Sequence, residues 1–193
     1  MFGPVSGGHF NPVVSLADAS FKGIGWRDAL AYTPVQIAGC ISGAIVANVM
    51  FELAAVSIST HHRASSAHLL SEVIATSGLI LVIFSLARTR RGNFAPAAVG
   101  AYIGAAYFFT SSASFANPAI TIGRIFSNTF AGIAPASAPS FIIAQLVGGA
   151  LAVMLIRILY PDFTPEEAAE VIVPHDQEVP ITDSSLGTPV GSQ

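Results

Sequence analysis

An all-α membrane protein is the fold class the sequence predicts, on three observations. Of the 193 residues, 52% are hydrophobic and only 10% are charged, whereas a soluble domain carries ~25% charged residues. The mean hydropathy is +0.65. Four stretches are apolar enough, and long enough, to be read as bilayer-crossing helices of ~20 residues. All four are rich in Gly and Ala, which suits close helix contacts in lipid better than it suits strands.

At the start of the chain, MFGPVSGGHFNP lacks a basic stretch leading into an apolar run, so it reads as a loop rather than a signal peptide. Asn11-Pro12-Val13 then opens a short apolar helix over about 12–21. The spans are expected over about 29–56, 69–87, 94–113 and 140–160, with a second short helix over about 118–127 opened by Asn117-Pro118-Ala119. Gly39 and Gly43 in the first span, and Gly100 and Gly104 in the third, form small-residue pairs that predict tight packing. Lys22, Arg27, Arg88, Arg90, Arg91 and Arg157 fall on one side if the spans alternate, and Arg63 on the other; the positive-inside tendency places the first side, with the C-terminus, in the cytoplasm. Residues 161–193 hold seven acids and no Lys or Arg and read as a disordered acidic tail after a membrane domain over 1–160.

The two short helices belong to an internal repeat. Each Asn-Pro pair is followed by a span containing Gln and then Gly, Gln36 with Gly39 and Gln145 with Gly148, at Asn-to-Gln separations of 25 and 28 residues. Asn is a favoured helix N-cap, and proline suits the first helical position because the N–H it lacks would be unpaired there anyway. With its side-chain oxygen capping, each Asn keeps its amide nitrogen for donation. A segment of about ten residues is ~15 Å long, half a hydrocarbon core. Half-helices at that depth line a cavity or are buried in protein, and in matched halves they mark a substrate path.

The stretches SGGHFNPVVSLAD and SFANPAITIGR resemble the paired Asn-Pro-Ala loops of the major intrinsic protein family, the aquaporins and glycerol facilitators, and SEVIATSGLILVIFS is similar to that family's fourth helix. The resemblance covers about residues 3–160. It implies an aquaporin-like inverted repeat with two re-entrant half-helices, four of the family's six full spans, and a homotetramer in the cell membrane with a pore in each protomer. By the same resemblance the chain begins in the first Asn-Pro loop, so its spans correspond to the third to sixth. Asn11 and Asn117 would point donors into the pore, and Glu72 would brace the second half-helix. The selectivity constriction would fall on Ala105, Ser114 and Ile120. Ile120 stands where water and glycerol channels usually carry Arg, and Val13 stands where they carry Ala.

Ala, Ser and Ile form a wide, weakly polar filter, so the expected solutes are small and neutral: water, glycerol-like polyols and metalloid hydroxides such as arsenite. Arg124, four residues after Ile120 on the same helix face, either reaches back toward the constriction or anchors the helix end at the headgroups. His9 either packs the loop or lines the inner vestibule. His61 and His62 are adjacent loop residues and make a poor metal pair, and Cys40 is expected to pack among small residues. No cofactor, metal, enzymatic constellation or nucleic-acid surface is expected. The competing readings are a truncated, non-conducting membrane fragment and an inverted-repeat secondary transporter, for which Glu72 is the one candidate coupling residue.

Overall fold

A computed structural model describes residues 6–162 together with 164 and 165. Among the described residues, six complete α-helices and three short 3-10 turns make up the regular structure, and there is no strand. The helices are α1 (Pro12–Ser20), α2 (Trp26–Met50), α3 (Ser66–Arg88), α4 (Ala95–Phe109), α5 (Pro118–Gly123) and α6 (Ala138–Leu159). Almost all of the expected acidic tail lies outside the described residues.

Among the described residues, three helical stretches are long and apolar enough to cross a membrane: α2 with 25 residues, α3 with 23, and Pro135–Leu159 with 25. The third expected span is shorter than the sequence suggests. Helix α4 has 15 residues, extended at its start by a 3-10 turn over Gly92–Phe94. It stops because Thr110 swings to an extended backbone (φ −107°, ψ 148°), and the chain from there to Asn117 serves as the approach to the second half-helix. The first span likewise ends at Met50 rather than near 56, where Phe51 caps it and Glu52 takes a positive φ of 58°.

The half-helices start inside the bundle and run in opposite directions. Ser20, at the end of α1, accepts a hydrogen bond from Arg157 Nη2 at 2.9 Å, so α1 runs toward the end that carries Arg157 and the Arg88–Arg91 loop. The last turn of α5 instead meets the loop between α2 and α3, through Ser59 N to Ile125 O at 2.8 Å and Ser57 N to Phe126 O at 3.1 Å. Both half-helices pack against both Gln-Gly spans, and α3 and α6 form the most extensive helix pair.

The glycines that permit close packing are not the ones their spacing singles out. A Cβ added at Gly39, Gly43, Gly100 or Gly104 would meet nothing within 4 Å, so these pairs face open space among the described residues. The close approaches occur elsewhere. A Cβ at Gly123 would lie 2.7 Å from the Cys40 carbonyl oxygen, where α5 crosses α2, and one at Gly149 would overlap Val13 Cγ1, where α6 crosses α1. The main core gathers Val13, Val14, Leu79, Ile80, Phe84 and Ile156 between α1, α3 and α6. By contrast Leu30, Val35, Val46 and Met50 on α2, and Phe108 on α4, are exposed, as suits helices bordered by lipid or by further helices.

Candidate functional site

The two Asn-Pro turns meet at the centre of the bundle. Asn11 caps α1 by accepting from Val13 N at 3.0 Å, and Asn117 caps α5 by accepting from Ala119 N at 2.9 Å and Ile120 N at 3.3 Å. Pro12 and Pro118 occupy the first helical positions. With the oxygens engaged, the amide nitrogens cross between the repeats. Asn11 Nδ2 donates to Ala116 O at 2.7 Å, and Asn117 Nδ2 donates to Phe10 O at 3.0 Å. An amide nitrogen carries two N–H groups, so each Asn is oriented from both its oxygen and its nitrogen and retains one further donor. The N-termini of both half-helices, each worth about half a positive charge, are thereby brought together.

A second repeated feature supports each Asn. Ser15 and Thr121 both lie four residues after their Asn and donate to its carbonyl, at 3.2 Å and 3.0 Å. Each hydroxyl then accepts from the Gln of its repeat's span, Gln36 Nε2 at 3.1 Å and Gln145 Nε2 at 2.9 Å. In the sequence these glutamines stand out only as repeat markers; the hydroxyl at a fixed offset of four is the signal that joins them to the site.

The latches part company at their second donors. Gln36 Nε2 donates to His9 O at 2.9 Å, whereas Gln145 Nε2 donates to Glu72 Oε2 at 2.6 Å. Glu72 is fully buried. It also accepts from Ser112 Oγ at 2.6 Å, Phe115 N at 2.9 Å and Ala116 N at 2.9 Å. Those amides belong to a loop in which Ala113, Ser114 and Ala116 all have positive φ (64°, 49° and 47°), a left-handed conformation costing about 1–3 kcal/mol per non-glycine residue. The carboxylate gathers the N–H groups that this conformation aims at it, and so holds the approach to Asn117 in place.

His9 braces the other repeat. One ring nitrogen lies 3.0 Å from Ser15 Oγ and the other 3.5 Å from Asp18 Oδ2, and the ring stacks on Tyr32 at 4.9 Å. It is 6% exposed and packed among these three side chains. Asp18, which sequence reasoning passed over, is this histidine's buried partner.

Of the expected constriction residues, Ser114 and Ile120 are brought to one place. Ser114 lies between Ala113 and Phe115, both members of a buried cluster with Ile133 and Phe141, against which Ile120 packs. Its hydroxyl is buried without a hydrogen-bond partner. Ala105 is exposed on α4. Arg124 is half-buried where α5 gives way to its terminal 3-10 turn. The residue that sequence reasoning missed is Arg63. Its guanidinium donates to Gly132 O at 2.7 Å, Ser112 O at 3.2 Å and Phe130 O at 2.6 Å, and lies 5.5 Å from the centroid of the Phe115 ring. Burial pushes its pKa down; Glu72 and Tyr107 act in the opposite sense and Arg124 adds to the lowering. A guanidinium starts so far above neutral pH that it stays charged. Among the described residues no cluster of three or more His, Cys, Asp or Glu is placed to hold a metal ion.

This geometry, two capped half-helices joined by reciprocal Asn bonds, can be set beside known proteins. The sequence pattern of the major intrinsic protein family matches residues 1–116. The chain belongs to the major intrinsic protein family. Among its relatives in that family, it is 44% identical over 165 residues to Aquaglyceroporin AqpS of Rhizobium meliloti (strain 1021), covering 86% of this chain and 70% of that protein. It is 34% identical over 134 residues to Aquaporin NIP3-1 of Arabidopsis thaliana, covering 63% of this chain and 42% of the relative. Identity to Aquaporin NIP2-1 of Zea mays is 31% over 137 residues, covering 68% and 46%. The chain therefore spans less than half the length of these two plant aquaporins. As a major intrinsic protein with long apolar helices, it is a membrane protein.

Proposed function

We propose that the chain forms a passive channel for small neutral solutes, passing close to Asn11 and Asn117. The reciprocal Asn pair carries this reading: each side chain is fixed at its oxygen and its nitrogen and has one N–H left to offer a passing oxygen. Together the facing helix ends create a positive potential that opposes cations while leaving neutral molecules unhindered. Glu72 and His9 serve as supports rather than ligands, since their polar atoms are committed to the loops they brace.

Ser114, Ile120 and Ala105 make the constriction wide and weakly polar, which favours glycerol-like polyols and metalloid hydroxides such as arsenite over water alone. The naming of one relative as an aquaglyceroporin supports this choice. We further propose a homotetramer in the plasma or inner membrane, with the Arg88–Arg91 loop and the C-terminus in the cytoplasm.

Stopped-flow light scattering on proteoliposomes tests the reading. Glycerol and arsenite uptake above the level of empty vesicles is expected, and Ile120→Trp, which fills the constriction, is expected to slow glycerol about tenfold or more and water less. A difference of about 1.4 kcal/mol in barrier suffices for a factor of ten. Water flux with glycerol and arsenite excluded would overturn the solute assignment. No flux of any of the three would overturn the channel.

A further inference from the structure

Arg63 sits where two loops converge. Ser112 O belongs to the segment leading into the second half-helix, and Phe130 O and Gly132 O belong to the segment leading away from it. One guanidinium thus bridges both sides of the entry to α5, at the end of the bundle where the 51–65 loop packs. Its Cζ lies over the Phe115 ring, 5.5 Å from the centroid, and Ile120 packs against the cluster that contains Phe115. Cation, aromatic ring and apolar constriction residue are therefore contiguous.

The donor inventory favours more than a clasp. A guanidinium has five N–H donors. Three are taken by carbonyls, and among the described residues the other two have no hydrogen-bond partner. Arg63 is only half-buried. Two residues from Ser112, the Ser114 hydroxyl is buried with no partner of its own. Glu72, the nearby carboxylate, is saturated by four donors and has nothing to offer the guanidinium directly.

The geometry points to Arg63 as a selectivity residue of the channel proposed above, and the inference rests on that reading. Its fixed charge repels cations at the entry beyond Ile120, and its two remaining N–H groups donate to the oxygens of a neutral hydroxylated solute such as glycerol. Because three carbonyls hold the guanidinium in place, it presents those donors without being reordered at each passage. A lysine would keep the charge but lose the planar fork that spans both loops.

The test uses proteoliposomes of the wild type, Arg63→Gln and Arg63→Lys, with glycerol and water flux measured beside a K+ diffusion potential. Arg63→Gln is expected to raise K+ leak about tenfold or more, the scale of removing one charge within ~8 Å in a partly shielded site. The same variant lowers the ratio of glycerol to water flux. Arg63→Lys is expected to keep K+ out while still lowering that ratio. A uniform fall of all fluxes in Arg63→Gln with no K+ leak would leave Arg63 a structural clasp and overturn the inference alone. Absence of flux in the wild type would instead overturn the channel itself, and the inference with it. Should Arg63→Gln fail to fold, phenylglyoxal, which modifies arginine, is applied to the wild type and to Arg63→Lys. Selective loss of glycerol flux in the wild type is the supporting result, and equal loss in both overturns the inference.

Discussion

Replacing Glu72 with Gln removes a charge while keeping the shape, and the cost can be worked out bond by bond. Oε1 accepts from Ser112 Oγ and Phe115 N, and Oε2 from Ala116 N and Gln145 Nε2. A glutamine must place its NH2 in one of these positions. At Oε1 it confronts the Phe115 amide, which cannot turn away. At Oε2 it confronts the Ala116 amide, a clash that flipping Gln145 does not relieve. Either way one buried backbone N–H loses its acceptor, at about 1–3 kcal/mol, and the remaining bonds fall from charge-assisted to neutral strength, at about 0.5–1 kcal/mol each. The sum is about 2.5–6 kcal/mol, borne by a loop that already holds three left-handed residues. For a chain of this size that corresponds to a fall of about 5–24 °C in melting temperature, measured in detergent by the fluorescence of Trp26. A fall of less than about 2 °C would refute the claim that the loop depends on a carboxylate.

Two further outcomes are expected. Gly149→Ala drives a methyl group into Val13 and should destabilise by about 1–3 kcal/mol; adding Val13→Ala should restore most of the loss, and a thermal double-mutant cycle with no coupling would show that the two residues do not share the crossing. Asn117→Asp keeps the capping oxygen but removes the donor to Phe10 O and adds a negative charge. Cation leak is the expected result in vesicles that still pass glycerol, and unchanged cation exclusion would separate Asn117 from the path.

The half-helices were legible because local chemistry and spacing agree there. Asn followed by Pro specifies a helix start on its own, and two copies with matched Gln and Gly positions specify a repeat, so both half-helices and their N-caps could be read before any geometry was known. What periodicity could not supply was where the spans end. Phe51–Val56 is nearly as apolar as the helix it follows, and Thr110–Ala113 consists of small residues that a helix would accept. Only tertiary demands draw them out of the helix: the 51–65 loop must reach the end of α5, and Thr110–Ala116 must deliver two amides to Glu72. The small-residue pairs misled for a related reason. Spacing shows which glycines share a face but not whether that face meets a neighbour, and Gly123, Gly148 and Gly149 make the contacts that Gly39 and Gly100 do not. Arg63 was invisible as a site because a lone basic residue in a polar loop has no signature until the carbonyls that receive it are in place.

The position of Glu72 resolves a conflict built into the fold. Two helix N-termini facing each other repel, and the same positive potential that excludes cations works against bringing them together. The reciprocal Asn bonds offset part of that repulsion, and a carboxylate beside the Asn117 turn offsets more. An exposed carboxylate there would attract the cations that the helix ends repel. Glu72 avoids this because it is 0% exposed and both oxygens are filled by hydroxyl, amide and carboxamide donors. Its charge stabilises the α5 turn, while each Asn keeps one N–H unused. The Asn11 side shows how the first repeat is held without such a group. Gln36, His9 and Ser15 tie the loop with neutral hydrogen bonds, and the acid nearest to them, Asp18, lies at the far end of α1 under His9 rather than at the central turn. Negative charge is thus kept off both sides of the Asn pair by different means, and that shared outcome is what a pathway for neutral solutes requires.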